Sequence, residues 1–155
     1  MKFSTGTRVA LAASVAASTA PAAPAWSAGR TEQIRLVERA TSDVTSHVGP
    51  KDDNPGDVLT FANDVFDAAN AVKLGTDQGF CIRVVVGKSF ECMWTTSLAG
   101  GQITVQGPFL DKADSVLAVT GGTGSYANVR GEMALHSRDA SGSTYDFAYT
   151  LHHPD

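Results

Sequence analysis

The chain has 155 residues, enough for one domain with little room for a second. It carries 12 lysines and arginines against 16 aspartates and glutamates, and no segment concentrates the basic residues. This balance argues against nucleic acid and anionic membrane as partners, because both bind proteins through clustered positive charge.

Residues 1–28 have the organisation of a secretory signal peptide. Lys2 and Arg8 give a positively charged start, and a run of small and apolar residues follows. Ala23-Pro24-Ala25 supplies a small-residue cleavage site, and Ala28 offers a second one. The apolar run is too short to cross a bilayer. We therefore expect a mature domain of residues 29–155, secreted to the exterior, the periplasm or the cell surface.

Two segments at the start of the mature sequence alternate with the period of a β-strand. In the first, Ile34, Leu36 and Glu38 fall on one face. The second spans residues 58–67 and places four residues in phase, namely Leu59, Phe61, Asn63 and Val65. The polar residues 40–56 between the two segments contain two prolines and two glycines, which predicts a loop.

The rest of the chain predicts short strands joined by turns. Residues 68–78 are interpreted as a connector, and no amphipathic helix pattern follows. The six further strands are residues 80–86, 89–97, 103–108, 114–120, 126–137 and 143–152. About eight strands with regular turns predict an all-β sandwich or a closed barrel. We favour an eight-stranded antiparallel β-barrel, which is just wide enough to hold one small ligand in an apolar cavity.

The two cysteines, Cys81 and Cys92, lie on the two arms of a predicted hairpin. In an exported chain a disulfide is the expected state, with two free thiols as the alternative. If the two residues are directly opposed, the loop must have an even length, such as Val86-Gly87. The same register places Arg83 opposite Phe90.

The stretch VTGGTGSYANVRG, residues 119–131, contains three glycines in four positions. It lacks the lysine of a phosphate-binding loop, and no helix pattern follows it, whereas phosphate binding uses the N–H groups at a helix start. We predict a tight turn between two strands, with positive φ angles at its glycines.

Three polar residues share the predicted inward face. Glu38 continues the face of Leu36, which would place a carboxylate in an apolar setting and raise its pKa. The alternative is that the strand ends there and Glu38 is solvated. Asn63 either meets a ligand oxygen or a held water, or is satisfied by the backbone. Arg83 could form a structural ion pair with Glu38.

The sequence offers no constellation for nucleophilic or metal catalysis. The four histidines are His47, His136, His152 and His153, and none has metal-ligand spacing with cysteine or acidic residues. We therefore expect no metal and no cofactor.

From residue 56 to 151 the chain resembles the allene oxide cyclases. The matching runs are GDVLTFANDVFDA (56–68), LGTDQGFC (74–81), ITVQGPF (103–109) and AVTGGTGSYANVRGEMAL (118–135). The run GGTGSYANVRG also resembles the dirigent proteins. The resemblance implies a small eight-stranded barrel with an apolar cavity, usually a homotrimer. Members of the family close an unstable fatty-acid allene oxide to one enantiomer of a cyclopentenone.

By position, the resemblance assigns roles to five residues. Glu38 corresponds to the acid that stabilises positive charge as the epoxide opens. Asn63 corresponds to an amide near the epoxide oxygen or its water, which makes these two the predicted catalytic pair. Phe61, Cys81 and Phe90 correspond to residues of the substrate pocket, to which Arg83 is added as a candidate because it shares their face.

Four positions depart from the family pattern. Ala40 replaces an asparagine, and Ser46-His47 stands near a Ser-Pro of the water-binding loop. Arg83 stands where the family has an apolar residue, and Cys92 has no counterpart. We therefore expect a secreted isomerase resembling the allene oxide cyclases. The alternatives are a non-catalytic binding barrel, used like a lipocalin or a dirigent protein, and a cyclase of secondary metabolism.

Overall fold

The structure, a computed structural model, describes residues 29–154. The predicted signal peptide lies outside the described residues. The described part forms nine strands, which are β1 (Thr31–Arg39), β2 (Val44–Ser46), β3 (Val58–Asp67), β4 (Lys73–Val85), β5 (Ser89–Leu98), β6 (Gly101–Leu110), β7 (Ser115–Gly122), β8 (Arg130–Ser137) and β9 (Thr144–His152). Among these residues, no helix has the length and apolar character needed to cross a membrane.

Eight of the strands close into an antiparallel barrel, which confirms the predicted fold class. Neighbouring strands follow the order β1-β9-β8-β7-β6-β5-β4-β3, and β1 pairs with β3 to complete the ring. At this seam, residues 36–39 pair with residues 64–67. Because β1 ends at Arg39, it covers only the second half of β3. The short strand β2 covers the first half, pairing Val44 with Thr60.

Alternate residues of the strands fill the barrel with apolar side chains. The largest fully buried ones include Leu36, Ile103, Leu117, Met133, Phe147 and Tyr149. Tyr149 satisfies its hydroxyl in the core with Thr96, whose Oγ1 lies 2.8 Å from the phenol oxygen. An eight-stranded barrel has space for little beyond such side chains, so any cavity must be lined by the same inward faces.

Two predicted loops contain strand. Residues 73–78, interpreted as a connector, begin β4, and residues 44–46 form β2 within the predicted loop 40–56. Gly75 and Gly79 of β4 lie directly against the backbone of β5, where a Cβ atom would collide with the neighbouring strand. These glycines weaken the strand signal in the sequence, yet they permit close strand packing in the barrel.

The glycine stretch lies at one end of the barrel and differs from the predicted tight turn. Gly121 and Gly122 belong to β7, and residues 126–129 precede β8. Only Gly124 of the three glycines has a positive φ, at 60°. It starts a 3₁₀ turn, Gly124–Tyr126, whose tyrosine is buried in the core. The segment therefore closes this end of the barrel.

The disulfide is confirmed, and so is the register that it implies. Cys81 is bonded to Cys92 and directly opposes it, and Arg83 opposes Phe90. The predicted even-length loop is wrong, because residues 86–88 form a three-residue connection. A bulge between Arg83 and Val85 absorbs the extra residue, so the cysteines keep their alignment.

Removing the disulfide should destabilise the barrel without changing its topology. The bond closes a short segment, so the double variant Cys81→Ser/Cys92→Ser should lose about 2–3 kcal/mol of unfolding free energy. Urea denaturation with and without dithiothreitol measures this loss. The oxidised protein should respond to the reductant and the double variant should not; equal stability of the two proteins would contradict the expectation.

Candidate functional site

A cavity lies at the barrel end opposite the glycine stretch. The loops 40–57, 86–88, 111–114 and 138–143 surround this end. The cavity encloses about 470 Å³ of atom-free space, open mouth included. Its largest lining side chains are Phe61, Trp94, Phe109, Leu135, Tyr145 and Phe147. Leu59 and Cys81 complete the apolar part, and Glu38 and Asp43 supply carboxyl groups.

The aromatic rings of the lining support one another. Phe61 meets Trp94 edge to face at 6.0 Å between centroids, and Trp94 lies 5.6 Å from Phe147. Phe109 and Tyr145 form another edge-to-face pair at 6.0 Å. Rings packed in this way have little rotational freedom, so the cavity has firm walls. Phe90 contacts the Phe109 ring at 6.4 Å and stands behind the lining.

Glu38 faces the interior, as the strand phase predicts. Its side chain is buried, with a relative exposure of 6% for the residue. Asn63 Nδ2 donates a hydrogen bond of 2.8 Å to Glu38 Oε1. It donates a second bond of 3.0 Å to Asp43 Oδ1. The solvated alternative for Glu38 is therefore wrong.

Asn63 is engaged on both sides of its amide. Its Oδ1 accepts the backbone N–H groups of Thr41 at 2.9 Å and Ser42 at 3.0 Å. The Ser42 hydroxyl lies 3.0 Å from the same oxygen and 2.7 Å from the Ala62 carbonyl, to which it donates its hydrogen. With both amide hydrogens spent on Glu38 and Asp43, Asn63 fixes the acid and the chain that leaves β1. It does not line the cavity itself.

A second buried acid, Asp77, was missed from the sequence. It lies on β4 directly opposite Asn63 and is 1% exposed. Its side chain meets that of Glu38, and no side-chain N–H or hydroxyl group among residues 29–154 donates a hydrogen bond to it. The inward phase of Cys81, extended back by four residues, would have found it. The connector assigned to residues 68–78 hid that phase.

Burial raises the pKa of both carboxyl groups. For Asp77 the nearby charge of Glu38 raises it further, while for Glu38 the hydrogen bonds from Asn63 and Asp77 oppose the effect of burial. Two carboxylates cannot both ionise at such close range in an apolar interior. The pair therefore retains a proton at neutral pH.

Arg83 does not approach Glu38, so the ion pair suggested from the sequence is wrong. Its Nη1 donates to both carboxyl oxygens of Asp111, at 2.7 and 2.8 Å. Its Nε lies 2.7 Å from Asp53 Oδ1, and its guanidinium stacks over Phe90 at 3.5 Å. Strand phase predicted the correct face for Arg83, but its two partners, Asp53 and Asp111, lie on loops. Within the described residues Glu38 has no cationic partner.

Of the predicted site residues, Glu38, Phe61 and Cys81 line the cavity. Asn63 supports Glu38 from behind, whereas Phe90 and Arg83 form a separate stack at the hairpin end. His47, at a position where the family pattern departs, contacts Asp57 at 2.7 Å and orders the loop before β3. Ala40 donates its backbone N–H to Ser143.

Comparison with known proteins places this arrangement in context. Residues 34–141 match the family model of allene oxide cyclase. A pyocyanin demethylase matches with 24% identity and a TM-score of 0.65, over 77% of this chain and 100% of that one. A pterocarpan synthase dirigent protein matches with 15% identity and a TM-score of 0.71, over 81% of this chain and 97% of that one. A Diels–Alderase from Streptomyces koyangensis matches with 15% identity and a TM-score of 0.62, over 81% of this chain and 68% of that one.

The buried acid pair should make stability fall as pH rises. Because both pKa values are raised in the folded state, the fold binds more protons than the unfolded chain above the ordinary carboxyl range. The associated stability is complete below that range and is lost as pH rises through the folded pKa values. Urea denaturation at pH 5, 7 and 9 should record the decline.

Asp77→Asn should flatten this pH dependence, because it removes one acid and relieves the other. The exposed Asp52→Asn is the matched control and should keep the wild-type slope. Equal slopes in Asp77→Asn and the wild type would show that the pair does not retain a proton.

Proposed function

The chain belongs to the allene oxide cyclase family, and from this premise we propose that it is an isomerase that steers a stereoselective ring closure. Its substrate is a reactive hydrophobic small molecule, a fatty-acid allene oxide or a compound of similar chemistry. The observation that carries the proposal is Glu38, a carboxyl group held by Asn63 in an aromatic cavity without a cationic partner among the described residues. A carboxyl group in that setting is costly for the fold, which favours a catalytic role.

Most of the proposed catalysis is conformational. The packed rings of Phe61, Trp94 and Phe147 would hold a flexible unsaturated chain in one folded shape. Such a near-attack geometry favours one ring closure over its mirror image. Stereochemistry would then follow from the shape of the wall, with no covalent intermediate.

Glu38 would act on charge. Opening of an epoxide spreads positive charge over the unsaturated carbons, and a carboxylate fixed beside them stabilises that charge without reorganising. The low polarity of the cavity strengthens the effect. Asn63 would keep the carboxylate in place, a positioning role supported by its 2.8 Å bond to Glu38.

A cyclase of secondary metabolism is the second candidate. The shared barrel of a protein named as a Diels–Alderase supports it, since that name describes ring formation by another route. A purely binding barrel, used like a lipocalin or a dirigent protein, has less support. A binding role would be favoured if Arg83 neutralised the charge of Glu38. Arg83 instead pairs with Asp53 and Asp111.

Glu38→Gln should slow the cyclisation or scramble its stereochemistry. The amide keeps the size of the side chain and removes the charge, so the enantioselective rate should fall by about 100-fold. The assay supplies an allene oxide generated in situ and separates the cyclopentenone enantiomers by chiral chromatography.

Glu91→Gln makes the same chemical change on the exposed face of β5 and serves as the control. It should retain the wild-type rate and enantiomeric excess. An unchanged rate and an unchanged enantiomeric excess in Glu38→Gln would refute the proposed role of the acid.

Export and assembly complete the proposal. The Cys81–Cys92 disulfide fits a non-reducing compartment, which supports secretion after removal of residues 1–28. The homotrimer implied by the family resemblance stays a prediction.

Expression with the full leader in a secreting host should yield a shortened chain in the exported fraction. Intact-mass spectrometry should find an N-terminus at Trp26 or Gly29, according to which of the two cleavage sites is used. An exported chain that still begins at Met1 would contradict the signal-peptide interpretation, as would retention of the chain in the cytoplasm.

A further inference from the structure

The ionisable side chains that line the cavity are acidic, and basic side chains are absent from its described lining. Five of the lining residues are aromatic, two carry carboxyl groups, and none of those described is lysine, arginine or histidine. Arg83, the guanidinium at the hairpin end, is held by two aspartates and by Phe90. No cationic side chain of the described lining is therefore available to receive an anionic ligand group.

The tyrosine of the lining does not alter this picture. Burial raises the pKa of Tyr145 to about 12, with further contributions from the charges of Glu38 and Asp43. Its phenol therefore stays neutral, and its ring keeps an electron-rich face. Tyr145 and Phe109 meet edge to face at 6.0 Å, beside Glu38 and Asp43 in the same lining.

The cavity continues outward into a polar vestibule. The two spaces share Phe109, Leu135 and Tyr145, and the loops 111–114 and 138–143 bound the outer one. Asp111, Asp114 and Asp139 lie there with a single lysine, Lys112. His136 contacts Asp114 at 2.7 Å. An anionic ligand group could meet Lys112 outside, but it would find only carboxyl groups and rings inside.

Aromatic faces combined with carboxyl groups are the chemistry that recognises organic cations. A cation over an aromatic face is attracted by the electron-rich face of the ring, and the attraction strengthens as water is excluded. A carboxylate moved into the same space would lose its hydration and meet like charge. The lining therefore separates ligands by the charge of the group that enters.

We propose that the cavity selects planar unsaturated groups that carry, or develop, a delocalised positive charge, and that it excludes carboxylates. The inference rests on the proposed function in taking this cavity as the substrate site, and it deepens that function by naming the substrate class. A fatty-acid ligand must then leave its carboxylate in the vestibule, while its unsaturated part meets Glu38.

Binding of a cation has a consequence for the acid pair. Glu38 faces Asp43, Asp77, Asn63 and Tyr145, and it shares a proton with Asp77. A positive charge beside Glu38 favours the ionised form of the pair. Binding of a cation near neutral pH should therefore release protons to the solvent, whereas a neutral ligand should release none.

Isothermal titration calorimetry at pH 7.5 with three bicyclic probes of similar size tests the proposal. The probes are N-methylquinolinium, neutral quinoline and quinoline-4-carboxylate. The cation should bind about tenfold more tightly than quinoline, and the carboxylate should show no binding. Titrations in phosphate and Tris should give different apparent enthalpies for the cation alone, because the two buffers take up released protons with different heats.

Variants locate the effect. Glu38→Gln should reduce the affinity for N-methylquinolinium to that for quinoline and leave quinoline binding unchanged. Asp77→Asn should abolish the difference between buffers. Glu91→Gln, on the outer face of β5, should behave as the wild type. Asp43→Asn, at the exposed rim, should cause a smaller loss and provides a second test if Glu38→Gln does not fold.

The proposal is overturned if quinoline binds as tightly as the cation, if the carboxylate binds most tightly, or if N-methylquinolinium does not bind. These outcomes are independent of turnover. A selective cation site in a protein that fails to cyclise allene oxides would leave this inference standing and refute the proposed function. Cyclisation without charge selectivity would do the reverse.

Discussion

The hydrogen bond from Asn63 to Glu38 connects the closure of the barrel to its chemistry. It spans β1 and β3, the two strands whose pairing over four residues completes the ring. The same amide accepts the backbone N–H groups of Thr41 and Ser42, which carry the chain away from β1. One buried side chain therefore orients the acid and turns the backbone at the seam. A buried amide whose hydrogen-bonding groups are all satisfied is rigid, and its hydrogen bond to Glu38 restricts the motion of the carboxyl group.

The period of the strands placed Glu38 and Asn63 on the inward face, because burial on one side of a strand repeats every second residue, but it left open whether Glu38 is solvated at the end of its strand. The same argument, anchored at Cys81, applies to Asp77. It was missed because Gly75, Asp77 and Gly79 are residue types that strands usually avoid. The two glycines permit close packing against β5, which is a property of the folded barrel and of no local segment.

Strand periodicity could not predict the two partners of Arg83, Asp53 and Asp111. Periodicity assigns a side chain to a face, whereas its contacts depend on loops that have no period. Asp53 and Asp111 come from two such loops, distant in sequence from each other and from β4. Because these two aspartates hold Arg83, Glu38 is left with Asp77 on β4 as its buried acidic neighbour. The loops thus hold the guanidinium of Arg83 away from Glu38, whereas the strands position the two buried carboxyl groups.

Cys81 belongs both to the disulfide and to the cavity wall. The covalent link ties two adjacent strands at the depth where a ligand would lie, so the sulfur atoms cannot rotate away from their positions. A reduced chain would instead offer two mobile, polarizable thiols at that point and a softer boundary. The cavity wall therefore takes its final shape only when the two cysteines are oxidised, after synthesis. A chain held in a reducing compartment would lack this part of the wall.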